Sequence, residues 1–130
     1  MTLTEHAIRG SVLVSGAHHR LEIGLPWYRS MPFSSVVAIE VRVDGAPAAR
    51  VHLGVAGEWL PVHALAQLRE RYWFLQDRHR LRWEADGPVA DTADVTVRMR
   101  LHLPFLTGPD GSGVQVLQEI RGIVPVRVQA

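Results

Sequence analysis

Residues 94–106 read DVTVRMRLHLPFL. Val95, Val97, Met99, Leu101 and Leu103 take every second position, and Thr96, Arg98, Arg100 and His102 fill the places between. Successive side chains on a strand point to opposite faces. This stretch therefore predicts a strand with one buried and one solvent-side face. A helix would need its apolar residues three and four apart.

The same period of two recurs along the chain. In SVVAIEVRVDG (35–45), Val37, Ile39, Val41 and Val43 are expected inward, with Ala38, Glu40 and Arg42 outward. Asp44-Gly45 supplies the chemistry of a tight hairpin, and ARVHLGV (49–55) is expected to be the return strand. HRLRWEADG (79–87) predicts a strand with Leu81 and Trp83 inward. VQVLQEIRGIVPVRVQ (114–129) supplies one or two closing strands, with Pro125 at an edge or a bend because proline cannot donate to a ladder.

One segment reads differently. In PVHALAQLRERYWFL (61–75), Leu65, Leu68 and Tyr72 fall at i, i+3 and i+7. Pro61 suits a first helical turn. A helix of about ten residues does not hold alone in water, so it must pack on a sheet. The expected fold is mainly β: an antiparallel β-sandwich, jelly-roll-like, with one short α-helix. At 130 residues the chain is expected to form a single domain, residues 1–130.

Composition narrows the function classes. A chain 47% hydrophobic and 21% charged can bury a core, which argues against disorder. All fourteen cations are arginine, yet Arg69 is followed by Glu70, and Arg78 has Asp77 as its neighbour. Charges interleaved in this way do not predict a nucleic-acid surface. There is no cysteine, so disulfides, thiol catalysis and zinc–thiolate sites are excluded. No secretion signal is expected from MTLTEHAIRG, and no apolar run approaches the ~18 residues of a membrane span. The expected location is the cytoplasm, with no membrane contact.

A search for catalytic groups returns little. His18 and His19 are adjacent and so diverge on a strand. His52, His63, His79 and His102 are scattered, with no H-x-H, H-E-x-x-H or helical i, i+4 pair. Ser34 and Ser35 lack a nucleophile elbow. TGPDGSGV (107–114) is glycine-rich but runs G-x-x-G-x-G with no helix pattern after it. It reads as a hairpin loop, not a phosphate cradle. No catalytic and no metal-binding residue is assigned.

Residues 24–36, GLPWYRSMPFSSV, are the exception to this plainness. Gly24, Pro26 and Pro32 forbid a regular ladder. Phe33 is expected to fold back over the end of the sandwich. Trp, Tyr and Arg in direct succession cannot all point inward, and these types are enriched at interface hot spots. Trp27, Tyr28, Arg29 and Met31 are therefore the candidate partner-binding residues. A carbohydrate-binding module using the same rings is the alternative, and a cupin-like metalloenzyme a third reading that lacks that fold's closely spaced histidines.

GLPWYRSMPFSSVVAIEVRVDG (24–45) resembles a stretch near the start of the small, beta subunit of bacterial C-glycoside deglycosidases. EWLPVHALAQL (58–68), RYWFLQDRHRLRW (71–83) and the final strand pair also resemble that family, in order over roughly residues 9 to 130. The resemblance implies a β-sandwich bound to a larger alpha subunit in a hetero-oligomer. That partner would be a TIM-barrel-like protein holding a divalent metal, typically manganese; no cofactor is expected in this chain. The complex would split the C–C bond between a 3-oxo-glucosyl group and a flavonoid or related aglycone. A ketone at C3 acidifies the C2 proton, so a base can start an elimination that expels the aryl carbon. The base and metal ligands match no residue here, so the resemblance carries over docking alone.

Overall fold

The computed structural model describes residues 8, 10–27, 29–74, 76–85, 89–107 and 113–129, with backbone alone described for 104–107. The strands are β1 (Val12–Ser15), β2 (His18–Gly24), β3 (Met31–Pro32), β4 (Val36–Val43), β5 (Ala46–Pro47), β6 (Ala49–Val55), β7 (Glu58–Pro61), β8 (Tyr72–Trp73), β9 (Arg78–Glu84), β10 (Thr92–Thr107) and β11 (Gly113–Val128). Among the described residues, nine of these form one sheet in the order β5-β4-β10-β11-β1-β2-β9-β6-β7, and β3 pairs with β8.

The alternation in β10 is realised in full: Val95, Val97, Met99, Leu101 and Leu103 are all 0% exposed. Strand β10 lies between β4 and β11, antiparallel to both. β11 is a single strand. Through Pro125 it pairs with β10; from Val126 to Val128 it pairs with β1, in parallel. That one parallel pairing departs from an all-antiparallel expectation. Pro125 stands at the change of partner, opposite Thr92, the first residue of β10.

β11 thus links two half-sheets, β5-β4-β10-β11 and β1-β2-β9-β6-β7. Their inner faces share one buried cluster, with Ile39 and Val41 from β4, Leu21 and Ile23 from β2, Leu53 and Val55 from β6 and Leu81 and Trp83 from β9. This is a β-sandwich, as the sequence pattern predicts.

Three local expectations change. Val37, expected inward, is 44% exposed while Val36 is 2%. A bulge is the reason: Arg100 pairs with Ala38 but Leu101 pairs with Val36, so β4 spends one residue unpaired and its faces swap. The return strand after Asp44-Gly45 lasts only two residues, Ala46 and Pro47. Ala48 then donates to the Val41 carbonyl at 2.9 Å. β6 leaves for the other half-sheet, pairing with β7 and β9, and its entry is irregular, with Arg50 at a φ of 53°. The expected α-helix is a 3₁₀ turn over Val62–Gln67, closed by Leu68 N–H donating to the Leu65 carbonyl at 3.0 Å. Leu65 is buried as expected, but Tyr72 sits in β8. A turn with no side-chain cap and no acidic first-turn residue is poorly supported as α-helix, and the β3–β8 pairing claims the residues that would prolong it. The expected hairpin loop after Thr107 falls at 108–112, outside the described residues.

No helix among the described residues is long and apolar enough to cross a membrane.

Candidate partner-binding site

The segment after β2 is anchored by residues some forty positions further along the chain. Met31 and Pro32 pair with Trp73 and Tyr72. Phe33 N–H donates to the Arg71 carbonyl at 2.9 Å, and Ser34 N–H to that of Leu68 at 3.3 Å. Below them lies an aromatic trio. The Phe33 ring stacks on Trp73 at 5.7 Å, and both meet the His79 ring edge-on, at 5.0 and 5.1 Å. Trp73 Nε1–H donates to the Asp77 carbonyl at 3.1 Å. His79 Nδ1 lies 3.1 Å from the Gly54 carbonyl, so Nδ1 carries the proton and donates. Its Nε2 is buried with no hydrogen-bond partner.

The four candidate residues separate on this anchor. Leu25 is 5% exposed and Pro26 is buried. Trp27 is half-buried against the core and Arg29 is exposed. Tyr28 lies outside the described residues. Met31, expected among the partner contacts, is 3% exposed: its pairing with Trp73 turns it into the core, so it supports the segment from beneath. Phe33, at 2%, folds back as expected.

Two further rings at this end were not among the candidate contact residues. Tyr72 and Phe74 are 47% and 49% exposed, and their rings stack at 6.2 Å and 27°. The tripeptide Tyr-Trp-Phe holds the signal: once Trp73 points inward, strand alternation sends both neighbours outward.

The described residues contain no group of three His, Asp or Glu side chains fit to hold a metal ion. Titration is perturbed elsewhere. Burial pushes His19, beside Trp83 at 6.0 Å, below its ordinary value. Asp94 is held low by the hydrogen bonds from Arg121. Neither lies on the 25–35 segment. What this end offers is stacked rings, a cation and an anchored irregular backbone, which suit contact with another surface.

Fold and site together define a β-sandwich protein with exposed, stacked aromatic rings at one end. No protein-family model matches the chain. It is 28% identical over 100 residues to the C-glycoside deglycosidase beta subunit of Microbacterium trichothecenolyticum, covering 75% of this chain and 76% of that one. It is 30% identical over 103 residues to the 3'-dehydrocarminate deglycosidase beta subunit of a Microbacterium species, covering 76% of each. The chain belongs to the family of C-glycoside deglycosidase beta subunits.

Proposed function

We propose that this chain is the small subunit of a C-deglycosylating complex and docks on a larger catalytic subunit through the segment around Trp27. The observation that carries this reading is the family membership, joined to an end that exposes the stacked rings of Tyr72 and Phe74. The substrate class is a 3-oxo-C-glucoside of a phenolic aglycone. A base on the partner takes the C2 proton, which the C3 ketone acidifies. The pair left at C2 forms the C1–C2 double bond as the C1–aryl bond breaks. The phenol's keto tautomer accepts the departing electrons, leaving the aglycone and an anhydro-enulose. A divalent metal on the partner would supply Lewis acidity toward the ketone. This chain's part is to hold that partner in its working shape, within the cytoplasm.

The test is co-expression with the neighbouring large-subunit gene, followed by assay on a 3-oxo-C-glucoside. Co-purification and aglycone release are expected; absence of both overturns the proposal. Trp27→Ala should weaken association more than it lowers Tm. Saccharide binding by a monomeric, partnerless chain would favour a carbohydrate-binding module instead.

A further inference from the structure

A stable complex buries roughly 800 Å² on each partner, about a tenth of this chain's 7818 Å² surface. One segment does not supply that, so a sheet face must contribute. Two outer faces are available, and their charges differ.

On the β4-β10-β11 face the charges largely satisfy one another. Arg98 donates to Glu119 at 2.8 Å, Arg42 to Glu40 at 2.8 Å, and Arg121 to Asp94 at 2.5 and 2.9 Å. Arg100 is the cation of that central strand with no ion pair among the described residues.

The β1-β2-β9-β6 face is different. Strand pairing there sets one lateral row across five strands: Arg127 opposite Leu13, Leu13 opposite Arg20, Arg20 opposite Arg82, and Arg82 opposite His52. The row contains no acid, and none of its three arginines has a carboxylate partner among the described residues. Arg20 reaches the Gln129 side chain through Nη2, while its Nε is buried without a partner. Arg82 lies over the Trp59 ring at 4.7 Å. Trp59 can lie flat on the sheet because Gly54 beneath it has no side chain. Directly opposed like charges destabilise a sheet, and no carboxylate among the described residues pairs with Arg20 or Arg82 to offset that cost. Three grooves, of about 290, 140 and 370 Å³, run along this face, and Arg20 lines all three. The next row on this face pairs Glu22 with Arg80, and the row after it sets Gly24 opposite Arg78, where β2 ends and the Trp27 segment begins.

We propose that this arginine face is the second half of the docking surface and receives a carboxylate-bearing strip of the large subunit. The inference rests on the reading of the chain as a subunit and names the face and the chemistry of its partner. Three cations without acids call for negative charge from outside. The three grooves together exceed the dimensions of a single ion, and β2 carries this face to Gly24, next to the segment proposed above for docking. Glu22 and Glu84 flank the row and pair with Arg80, Arg50 and His18. They would repel a continuous phosphate backbone, while discrete carboxylates could sit between them. A second copy of the same face is disfavoured, because it would bring a further three arginines without carboxylate partners.

The experiment measures binding of the large subunit to the wild-type chain and to Arg82→Gln/Arg127→Gln, with Arg100→Gln as control, across a salt series. The double variant should weaken binding at least about tenfold at low salt and flatten the salt dependence, with Tm unchanged or raised. Arg100→Gln should bind as wild type. Wild-type binding by the folded double variant, with aglycone release intact, overturns the arginine face and leaves the proposed function standing. Loss confined to Arg100→Gln assigns the other face and also overturns it. No complex with any form overturns both. Arginine-dependent binding of a 20-base-pair duplex at physiological salt would assign the row to nucleic acid.

Discussion

Replacing Trp73 by phenylalanine tests whether the aromatic trio holds the contact segment in place. Trp73 is 0% exposed, stacks on Phe33 and donates through Nε1 to Asp77. Losing that hydrogen bond leaves a carbonyl without its donor, a cost of about 1 kcal/mol. The smaller ring leaves a void that adds about 1–2 kcal/mol. The sum is about 2–3 kcal/mol. Unfolding entropy near 2.1 cal/mol/K per residue gives roughly 0.27 kcal/mol/K for this chain, so Tm should fall by about 7–11 °C. The assay is thermal unfolding by circular dichroism for Trp73→Phe, Phe33→Leu and the double variant. The stacked pair should couple by about 0.5–1.5 kcal/mol beyond additivity. A Tm loss under about 2 °C, or strict additivity, would refute the trio as the anchor.

Other outcomes rest on single features. Val36→Ala should cost about 1–3 kcal/mol in chemical denaturation and Val37→Ala under about 0.5, because the bulge buries the first and exposes the second; equal losses would place the register elsewhere. Burial lowers the pKa of His19 in the folded state, so folding disfavours its protonation. Stability should therefore be full above pH 6.5 and decline as pH falls below that value, and His19→Gln should flatten this part of a Tm-against-pH curve. A Cβ at Gly54 would meet the Trp59 ring at 3.3 Å and the Arg80 carbonyl at 3.5 Å. Gly54→Ala should thus lift Trp59 from the sheet, red-shift its fluorescence and cost about 1 kcal/mol or more. An unchanged spectrum would show that the ring does not rest there.

Strand content was legible where alternation is strict. Residues 94–103 and 79–84 could be read face by face, because in-and-out periodicity is a local property. The bulge was not legible, since Val36 and Val37 are equally apolar and only the cross-strand partner chooses between them. Nor was the exit of β6, which depends on Pro47 ending a ladder whose next partner lies far along the chain. The 3₁₀ turn followed the right apolar positions through Leu65; beyond Leu68 the demands of β3 overrode helical spacing. At the contact end, residue type pointed to the segment but not to each side chain's direction, so Met31 turns inward and Tyr72 and Phe74 turn out. The arginine row was not legible either. Arg78, Arg80 and Arg82 are interleaved with other residues along the chain, but a period of two gathers them on one face. Interleaving in sequence is not mixing in space.

β11 gives both half-sheets their shared seam, and it follows the other ten described strands in the chain. Its pairing of Val126 with Val12 spans almost the whole sequence. Until residues 113–128 emerge from the ribosome, β1 and β10 each keep a row of unsatisfied amides ready to recruit strangers. Co-translational folding can therefore close little of this protein early. A cell making it in quantity should depend on chaperones to shield those edges until β11 arrives.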